Sequence, residues 1–224
     1  MSTRHDPVER QDAAHAPGCR NGSILNDRIV ETIATTGCYV GESIIDTDLV
    51  IALRRRLRLL HTQHSLVAAQ VGRSATLTSV TKLRGDAIAW LDQEALDPVE
   101  AQAMERIDSL RKALNKALYI GATNTECHYA RYPTGAYYKT HLDRFTDHDL
   151  RIVSLVFYLN SRWKDHQGGE LVIHHPGRDP ERVLPRCGTM VAFLSAQFAH
   201  EVLPATRPRL ALTGWMRRRA IAGQ

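Results

Sequence analysis

The chain has 224 residues, of which 43% are hydrophobic and 24% charged, and its formal net charge is +5. These values are typical of globular proteins and exclude collagen-like, coiled-coil and wholly disordered chains. The length predicts one large domain or two small ones, with a core that needs no disulfides. The basic excess is too small to establish a nucleic-acid partner.

The four cysteines are widely spaced and form no Cys-x-x-Cys pair, so neither a zinc knuckle nor a disulfide framework is expected. A reducing compartment fits this pattern best. No apolar run approaches the roughly 20 residues that span a bilayer, and the polar N-terminus lacks the apolar stretch of a signal peptide. The sequence therefore predicts a cytoplasmic protein with no membrane partner.

Residues 1–23 combine charged residues with Ala, Pro and Gly and show no apolar periodicity. We interpret them as a flexible N-terminal arm; the alternative is an ordered extension that packs late. A first helix is predicted from Asn26, which would be its N-cap, to Thr36. Gly37 would end it.

A second helix is predicted to begin near Asp46, because apolar residues recur at helical spacing as far as Leu60. Its polar face carries a run of four arginines: Arg54, Arg55, Arg56 and Arg58. Such a run could bind an acidic partner. A solvated face near a helix C-terminus is the more common structure.

The third helix has the clearest boundaries. Asp97 is placed to cap it, Pro98 opens its first turn and Glu100 stands at its third position. An apolar stripe then runs to Leu118, and Gly121 follows. The stripe indicates core packing and not a cofactor site.

From about Glu126 the pattern changes to short β-rich runs separated by Gly, Pro and Asn. The runs are CHYARY, RIVSLVFYLN, GELVIHH, ERVL, GTMVAFL and PRLALTGWM. Regularly spaced short strands predict a sandwich or barrel. The fold class is therefore α+β, with the helices on one face of a β-barrel or jelly roll.

One short motif in this region suggests a metal site. His141 and Asp143 are two residues apart, so on a strand their side chains would share a face and could reach one metal. A single such match is weak in a chain with 11 histidines. His200 adds a third ligand, and two His with one carboxylate bind non-haem Fe(II) with coordination positions left open. Arg209, one strand further on, could hold a carboxylate bidentately.

Together with longer stretches, these residues resemble the Fe(II)- and 2-oxoglutarate-dependent dioxygenases, and within them the prolyl hydroxylases, especially the oxygen-sensing animal enzymes and their bacterial relatives. The stretches occur in family order and spacing: KLRGDAIAWL (82–91), ARYPTGAYYKTHLDRF (130–145), RIVSLVFYLNSRW (151–163), GGELVIHHP (168–176) and HEVLPATRPRLALTGW (200–215). The resemblance implies a double-stranded β-helix of the jelly-roll or cupin type, with N-terminal helices packed on one sheet. One domain would span 24–224, with helical support at 24–121 and the catalytic core at 122–217.

The resemblance also implies roles for individual residues. Three residues match the iron ligands: His141, Asp143 and His200. Arg209 and Tyr158 match the residues that hold the far carboxylate of 2-oxoglutarate, and Tyr132 and Thr213 match residues beside the cosubstrate. Four more match the substrate-binding region: Arg151, Trp215, Tyr138 and Asp86. Asp86 follows a finger loop, at about 72–83, that folds over the substrate in the family.

Several of these residues also have a purely structural interpretation. Tyr158 could be a core tyrosine, Tyr132 a strand aromatic and Trp215 core packing, and we take Tyr137 as structural. The RGD tripeptide at 84–86 could suggest adhesion, which a cytoplasmic chain makes remote. Four histidines have no third ligand at a suitable spacing and are expected on the surface or in loops: His61, His64, His174 and His175.

The implied activity is hydroxylation of a prolyl residue, at C4, in a protein segment, with release of succinate and CO2. Fe(II), 2-oxoglutarate and O2 are implied, with ascorbate as an auxiliary reductant. A translation elongation factor is the first candidate substrate because bacterial relatives act on one, and a basic surface suits an acidic partner.

Three alternatives stay open. The first is a hydroxylase of a free amino acid or another small metabolite. The second is a nucleic-acid demethylase, which is disfavoured because Trp215 stands where that group has a second arginine. The third is a metal- and 2-oxoglutarate-binding sensor module without catalysis.

Overall fold

The computed structural model describes residues 17–69, 83–143 and 150–219, with side chains from residue 22 onward. Its α-helices are α1 Pro17–Thr36, α2 Thr47–Thr62 and α3 Pro98–Leu118. The strands are β1 Cys38–Glu42, β2 Val67–Ala68, β3 Ala87–Trp90, β4 Asn124–Tyr132, β5 Tyr138–His141, β6 Arg151–Tyr158, β7 Leu171–His174, β8 Glu181–Val183, β9 Thr189–Leu194, β10 Ala199–Val202 and β11 Arg209–Arg217. A short 3-10 helix spans Asp165–Gln167.

The strands form two antiparallel sheets. The larger sheet has the order β1-β9-β6-β11-β4-β3-β2 and the smaller has the order β5-β10-β7-β8. From β4 onward the chain passes back and forth between the two sheets, with β7 and β8 as a pair in the smaller one, which is the winding of a double-stranded β-helix. The α+β fold class and the jelly-roll architecture are therefore confirmed.

Two apolar cores lie on the two faces of the larger sheet. Alternate strand residues point to opposite faces, so Leu210 and Leu212 of β11 pack with the helices. Ala211, between them, packs instead toward the smaller sheet. The helical layer therefore supports the larger sheet from behind. The odd-numbered residues of β11, among them Arg209, therefore point into the space between the two sheets.

The second and third helices begin where the sequence predicts. The Asp97 side chain accepts a hydrogen bond from the Val99 amide, and the Glu100 side chain accepts one from the Asp97 amide, which completes a capping box. Asp46 likewise caps α2 through the Leu49 amide. The apolar stripe of α3 is buried in the helix-side core, as predicted.

The predicted start of the first helix is wrong. Helix α1 begins at Pro17, so residues 17–23 are helical and the predicted arm is too long. Asn26 is not a cap: it is buried inside the helix, and its Nδ2 donates to Ser109 Oγ of α3 at 3.2 Å. A polar residue can therefore continue a helix when a neighbouring helix supplies its partner. Gly37 ends α1 as predicted. The rest of the predicted arm, residues 1–16, lies outside the described residues.

Each of the six predicted β-rich runs contains a strand, but five strands were missed: β1, β2, β3, β5 and β10. Strand β1 pairs with β9, and β3 pairs with β4, so both extend the larger sheet from within the segment expected to be helical support. The missed strands have two to five residues, too few to show alternation.

The described part of the chain contains no helix that is long and apolar enough to cross a membrane. Cys38, Cys127 and Cys187 are free thiols. A cytoplasmic location stays a prediction.

Candidate active site

Two histidines and one aspartate converge between the sheets. His141 ends β5 and pairs directly with His200 on β10, while Asp143 lies two residues beyond the end of β5. One ligand atom from each residue lies within 4.8 Å of the others. The Nε2 atoms of His141 and His200 are 3.6 and 3.7 Å from the two carboxylate oxygens of Asp143. Within the described ranges this is the one cluster of three such ligands.

The expectation that His141 and Asp143 share a strand is wrong, because β5 ends at His141. Asp143 reaches the cluster through a hydrogen bond instead. Ser154 Oγ of β6 donates to Asp143 Oδ2 at 2.6 Å, and Ser195 Oγ lies 2.9 Å from Ser154 Oγ. The buried serine pair therefore fixes the carboxylate from the larger sheet.

The backbone sets the orientation of both imidazoles. His141 Nδ1 lies 2.8 Å from the Lys139 carbonyl oxygen, and His200 Nδ1 lies 3.1 Å from the Phe198 carbonyl oxygen. A carbonyl can only accept, so each Nδ1 carries a proton, and the neutral form of each ring presents its lone pair at Nε2. Both lone pairs belong to the atoms that face Asp143, as metal ligation requires.

The electrostatics keep the cluster in the protonation state of a metal site. Burial would raise the pKa of Asp143, but His200, His141 and Ser154 together hold it well below its ordinary value. Burial lowers the pKa of His200, against the opposing effect of Asp143. At neutral pH the carboxylate is therefore ionised and His200 is neutral. Two imidazoles and one carboxylate that face one another between the sheets are a donor set that fits Fe(II).

A buried cation lies deeper between the sheets. Arg209 is 3% exposed, and its guanidinium carbon lies 5.2 Å from the ring centroid of Tyr132 and 5.1 Å from that of Tyr158. Its Nε donates to the Gly169 carbonyl oxygen at 3.0 Å. No carboxylate of a described residue lies within 4 Å of it. A buried charge without a counter-ion is costly, so this position is complementary to an anion.

Tyr158 adds an unsatisfied donor to the same place. Its hydroxyl is buried and makes no hydrogen bond within the described residues. Burial raises the pKa of Tyr158 to about 12, and Arg209 opposes the shift only in part, so the hydroxyl stays protonated at neutral pH. Burial also raises the pKa of Tyr132. A guanidinium beside a protonated, unpartnered hydroxyl is suited to a carboxylate such as that of 2-oxoglutarate.

Thr213 lies on the same face of β11 as Arg209, between His128 of β4 and Val156 of β6 in the strand register. It stands one strand period beyond Ala211, which faces the same core. Thr213 therefore lies on the face of β11 that is turned toward the smaller sheet, and its place beside the cosubstrate stays a prediction.

Aromatic rings and an arginine line one side of the site. Trp90, His128 and Trp215 form a cluster in which the His128 ring centroid lies 4.7 and 5.3 Å from those of the two tryptophans. Arg151 lies over Trp215, with its guanidinium carbon 3.7 Å from the ring centroid. Its Nη1 also donates to the Asp143 carbonyl oxygen at 3.3 Å. Trp90 is 51% exposed and Trp215 is buried, so the cluster runs from the surface toward the metal cluster.

A succession of side-chain contacts connects Asp86 with the metal cluster. Asp86 is buried and accepts two hydrogen bonds from Arg84, at 2.7 and 2.6 Å. The Arg84 guanidinium carbon lies 4.4 Å from the Tyr138 ring centroid, and Tyr138 stacks on His141 with centroids 3.6 Å apart. Asp86 is therefore connected to His141 through Arg84 and Tyr138, and its role in substrate binding stays a prediction. The predicted finger loop lies outside the described residues apart from Leu83.

The sequence analysis missed four residues that the structure brings to the site: Ser154, His128, Arg84 and Trp90. One of them had a readable signal. Ser154 is a polar residue within the apolar run of β6, and it shares a strand face with Tyr158. His128 shares its face with Tyr132 in the same way, but its packing between two tryptophans depends on distant segments.

The other histidines in the described part of the chain lie outside the metal cluster. His174 pairs with Glu201 at 3.1 Å and His175 with Glu181 at 2.9 Å. His175 lies in the loop after β7, one of the two environments expected for it, but it is buried there, with Phe198 packed on its ring. His61 lines a separate cavity on the other side of the larger sheet.

Comparison with known proteins places these features in a family. The family model described as the 2OG-Fe(II) oxygenase superfamily matches residues 127–217. A prolyl-4-hydroxylase from Pseudomonas putida is 39% identical, with 87% of this chain and 100% of that chain covered and a TM-score of 0.79.

Two further solved structures are less similar in sequence. A prolyl hydroxylase from Trichoplax adhaerens, solved with a peptide of the hypoxia inducible factor oxygen degradation domain, is 24% identical, covers 95% of this chain and 99% of its own, and has a TM-score of 0.84. A viral collagen prolyl hydroxylase from Paramecium Bursaria Chlorella virus-1 is 18% identical, with coverage of 83% and 98% and a TM-score of 0.58. These two likenesses show the fold.

Proposed function

The chain belongs to the 2-oxoglutarate- and Fe(II)-dependent oxygenases, as a prolyl hydroxylase, and on that premise we propose that it hydroxylates a prolyl residue at C4 in a protein substrate. The observation that carries the proposal is the pairing of two complementary groups between the sheets: the cluster of His141, Asp143 and His200, and the buried Arg209 beside the unpartnered hydroxyl of Tyr158. When bound, Fe(II) supplies the activation of O2, with electrons from 2-oxoglutarate, which leaves as succinate and CO2.

We assign the protein residues the following roles. His141, Asp143 and His200 hold the metal, and the backbone carbonyls behind the imidazoles keep their Nε2 lone pairs directed inward. Arg209 and Tyr158 bind the far carboxylate of 2-oxoglutarate. Two residues border the bound cosubstrate: Tyr132 and Thr213. Burial of this end of the site excludes water and strengthens the charge-assisted hydrogen bonds.

The substrate would enter beside the aromatic cluster. Trp90 offers an exposed ring, and Trp215 with Arg151 covers the approach to Asp143. Aromatic rings and an arginine are the side chains that most often dominate protein–protein contacts. Tyr138, stacked on His141, borders the same region, and Asp86 positions it through Arg84. A protein segment as substrate is supported by the relative from Trichoplax adhaerens, whose structure holds a peptide.

A translation elongation factor is the substrate that we would test first. The basis is the resemblance to bacterial prolyl hydroxylases and the 39% identity to the enzyme from Pseudomonas putida. The formal net charge of +5 favours an acidic partner by electrostatic steering.

The test is an anaerobic incubation of the full-length protein with Fe(II), 2-oxoglutarate and ascorbate, followed by admission of air with and without candidate substrates. Purified elongation factor and proline-containing peptides are the candidates. We expect succinate, and a mass increase of one oxygen atom on a prolyl residue that fragmentation locates. His141→Ala should abolish both products, while His166→Ala, an exposed histidine outside the site, should leave them unchanged.

Other outcomes separate the remaining functions. Succinate with oxidation of a free amino acid, and none of any peptide, would replace the proposal with a small-molecule hydroxylase. Metal binding with no succinate under any condition would indicate a sensor module.

A further inference from the structure

A cavity of about 310 Å³ lies on the helix side of the larger sheet. It is bounded by α2, by the end of β4 and by the segments that follow β6 and precede β11. Arg131 lines it, whereas the next residue on β4, Tyr132, faces the active site. The thickness of the larger sheet therefore separates this cavity from the metal cluster and from Arg209.

The cavity is surrounded by positive charge. Four arginines line it: Arg54, Arg58, Arg131 and Arg207. His61, one turn beyond Arg58 on α2, adds an imidazole, and no acidic residue is among the lining residues. None of the four guanidinium groups lies within 4 Å of a described carboxylate. Like charges held around one cavity repel each other, so the arrangement is complementary to an anion with several charges.

The run of arginines on α2 divides into three environments. Arg56 forms an ion pair with Glu100 at 3.0 Å and lies 3.7 Å from Asp97, so it serves the junction with α3. Arg55 is exposed and lies outside the cavity. Arg54 and Arg58, one helical turn apart, line it. The run is therefore neither a uniformly solvated face nor a continuous surface for an acidic partner.

Backbone and ring contacts orient two of the lining arginines. Arg54 Nη1 donates to the Leu159 carbonyl oxygen at 3.4 Å, and Arg207 Nη1 donates to the Ser161 carbonyl oxygen at 3.4 Å. The Arg207 guanidinium carbon also lies 5.0 Å from the Trp163 ring centroid. Each guanidinium group carries five N–H donors, so these contacts leave most of the donors available to a ligand.

The size and lining of the cavity indicate the class of ligand. A volume of about 310 Å³ is at the lower end of the range for small-molecule sites. Phosphoryl groups concentrate negative charge in the smallest space and match the guanidinium fork. Leu210 and Pro208 provide an apolar surface beside the arginines. From these features we propose that the cavity binds a small polyphosphate-bearing ligand, at a site separate from the active site.

The test is calorimetric titration of the metal-free, full-length protein with ADP and, separately, with tripolyphosphate. Binding is expected with a dissociation constant at or below about 100 µM at low ionic strength. Arg54→Ala and Arg58→Ala should each weaken it by about tenfold, because each removes a charge-assisted contact. Arg55→Ala is the matched control, since it removes the same charge from the same helix outside the cavity, and it should change the affinity by less than about twofold.

The two probes distinguish the sources of the phosphate. Tighter binding of ADP identifies a nucleotide that uses the apolar surface, and tighter binding of tripolyphosphate identifies an inorganic chain; either supports the proposal. Saturating 2-oxoglutarate should leave both affinities unchanged.

Four results would overturn the proposal. They are no binding of either probe, an equal loss of affinity in Arg55→Ala, displacement of both probes by 2-oxoglutarate, and tighter binding of a glutamate-rich peptide than of either phosphate. The last result would assign the cavity to a protein partner. Because the protein is metal-free and the readout is heat, the result does not depend on the hydroxylase activity.

Discussion

Tyr158 and Tyr129 each bury a hydroxyl that makes no hydrogen bond within the described residues, but they lie on opposite faces of the larger sheet. Only Tyr158 lies beside Arg209. A buried unsatisfied hydroxyl lowers the stability of a fold, so a phenylalanine in either position should be tolerated. Proximity to Arg209 is therefore the functional difference between the two tyrosines, and substitution of each by phenylalanine can measure its effect.

We predict that Tyr158→Phe raises the KM for 2-oxoglutarate by about tenfold, because the carboxylate loses one hydrogen bond. The free energy of unfolding should stay the same or increase, since the substitution removes an unsatisfied polar group. Succinate formation at varied 2-oxoglutarate concentration and urea denaturation are the two measurements. Tyr129→Phe should leave KM unchanged. An unchanged KM in Tyr158→Phe would remove Tyr158 from the cosubstrate site.

Ser154 acts on the metal site through Asp143. We predict that Ser154→Ala weakens Mn(II) binding by about 10- to 100-fold, the usual cost of losing a hydrogen bond to a metal ligand. Its Oγ is the group that donates to Asp143 Oδ2 and helps to keep the pKa of this carboxyl low. Titration followed by the electron paramagnetic resonance signal of free Mn(II) measures the affinity.

The control for this substitution is Ser195→Ala. Ser195 contacts Ser154, and its hydrogen bond reaches the carboxylate only through that residue. Its loss should therefore cost less affinity than the loss of Ser154. Equal affinities in the wild type and in Ser154→Ala would show that Asp143 needs no partner from β6.

At the level of the elements, α3 offers a test of how its own sequence stabilises the fold. Asp97→Ala removes a cap and one half of the capping box, and we expect the free energy of unfolding to fall by about 1 kcal/mol. The helix packs on the face of the larger sheet opposite to the metal cluster, so the rate of succinate formation should not change. Urea denaturation and the turnover assay measure the two effects.

Glu105→Ala on the same helix is the matched control. Glu105 is exposed in the helix interior, where alanine is a good helix former, and the change should stay within about 0.5 kcal/mol. A loss of turnover in Asp97→Ala at a temperature where the protein is folded would contradict the separation of the helical layer from the site.

The elements also show which features a sequence can predict. The cap of α3 and the apolar runs of β6 and β11 carry strong local signals, and the structure confirms them. The spacing of His141, Asp143 and His200 pointed to the metal cluster. The missed strands β5 and β10 have only four residues each, and pairing with their neighbours in the smaller sheet, rather than a local signal, defines them. Asn26 was misread as a cap because its partner, Ser109, is remote in sequence.

At the level of the whole molecule, the fold buries ionisable groups that would bind protons in the unfolded chain. His128 packs against the two tryptophans of the aromatic cluster, and burial, with the charges of Arg84 and Arg151, lowers its pKa from 6.5 to about 3. Asp86 and Asp143 raise the pKa of His128 but do not offset this shift. The folded protein therefore holds His128 neutral, while the unfolded chain takes up a proton below pH 6.5.

The sign of the pH dependence follows from this difference. Between the two pKa values the unfolded state binds more protons, so the stability due to His128 is complete above about pH 6.5 and is lost as the pH falls toward 3. The slope in that window is about 1.4 kcal/mol per pH unit.

We predict that acidification from pH 7.5 to 5.5 lowers the free energy of unfolding by about 1.4 kcal/mol more in the wild type than in His128→Leu. Urea denaturation of the metal-free protein at both pH values measures the difference. His166→Leu, which removes an exposed histidine, should keep the wild-type dependence, and equal pH dependence in His128→Leu and the wild type would mean that His128 is protonated in the folded protein.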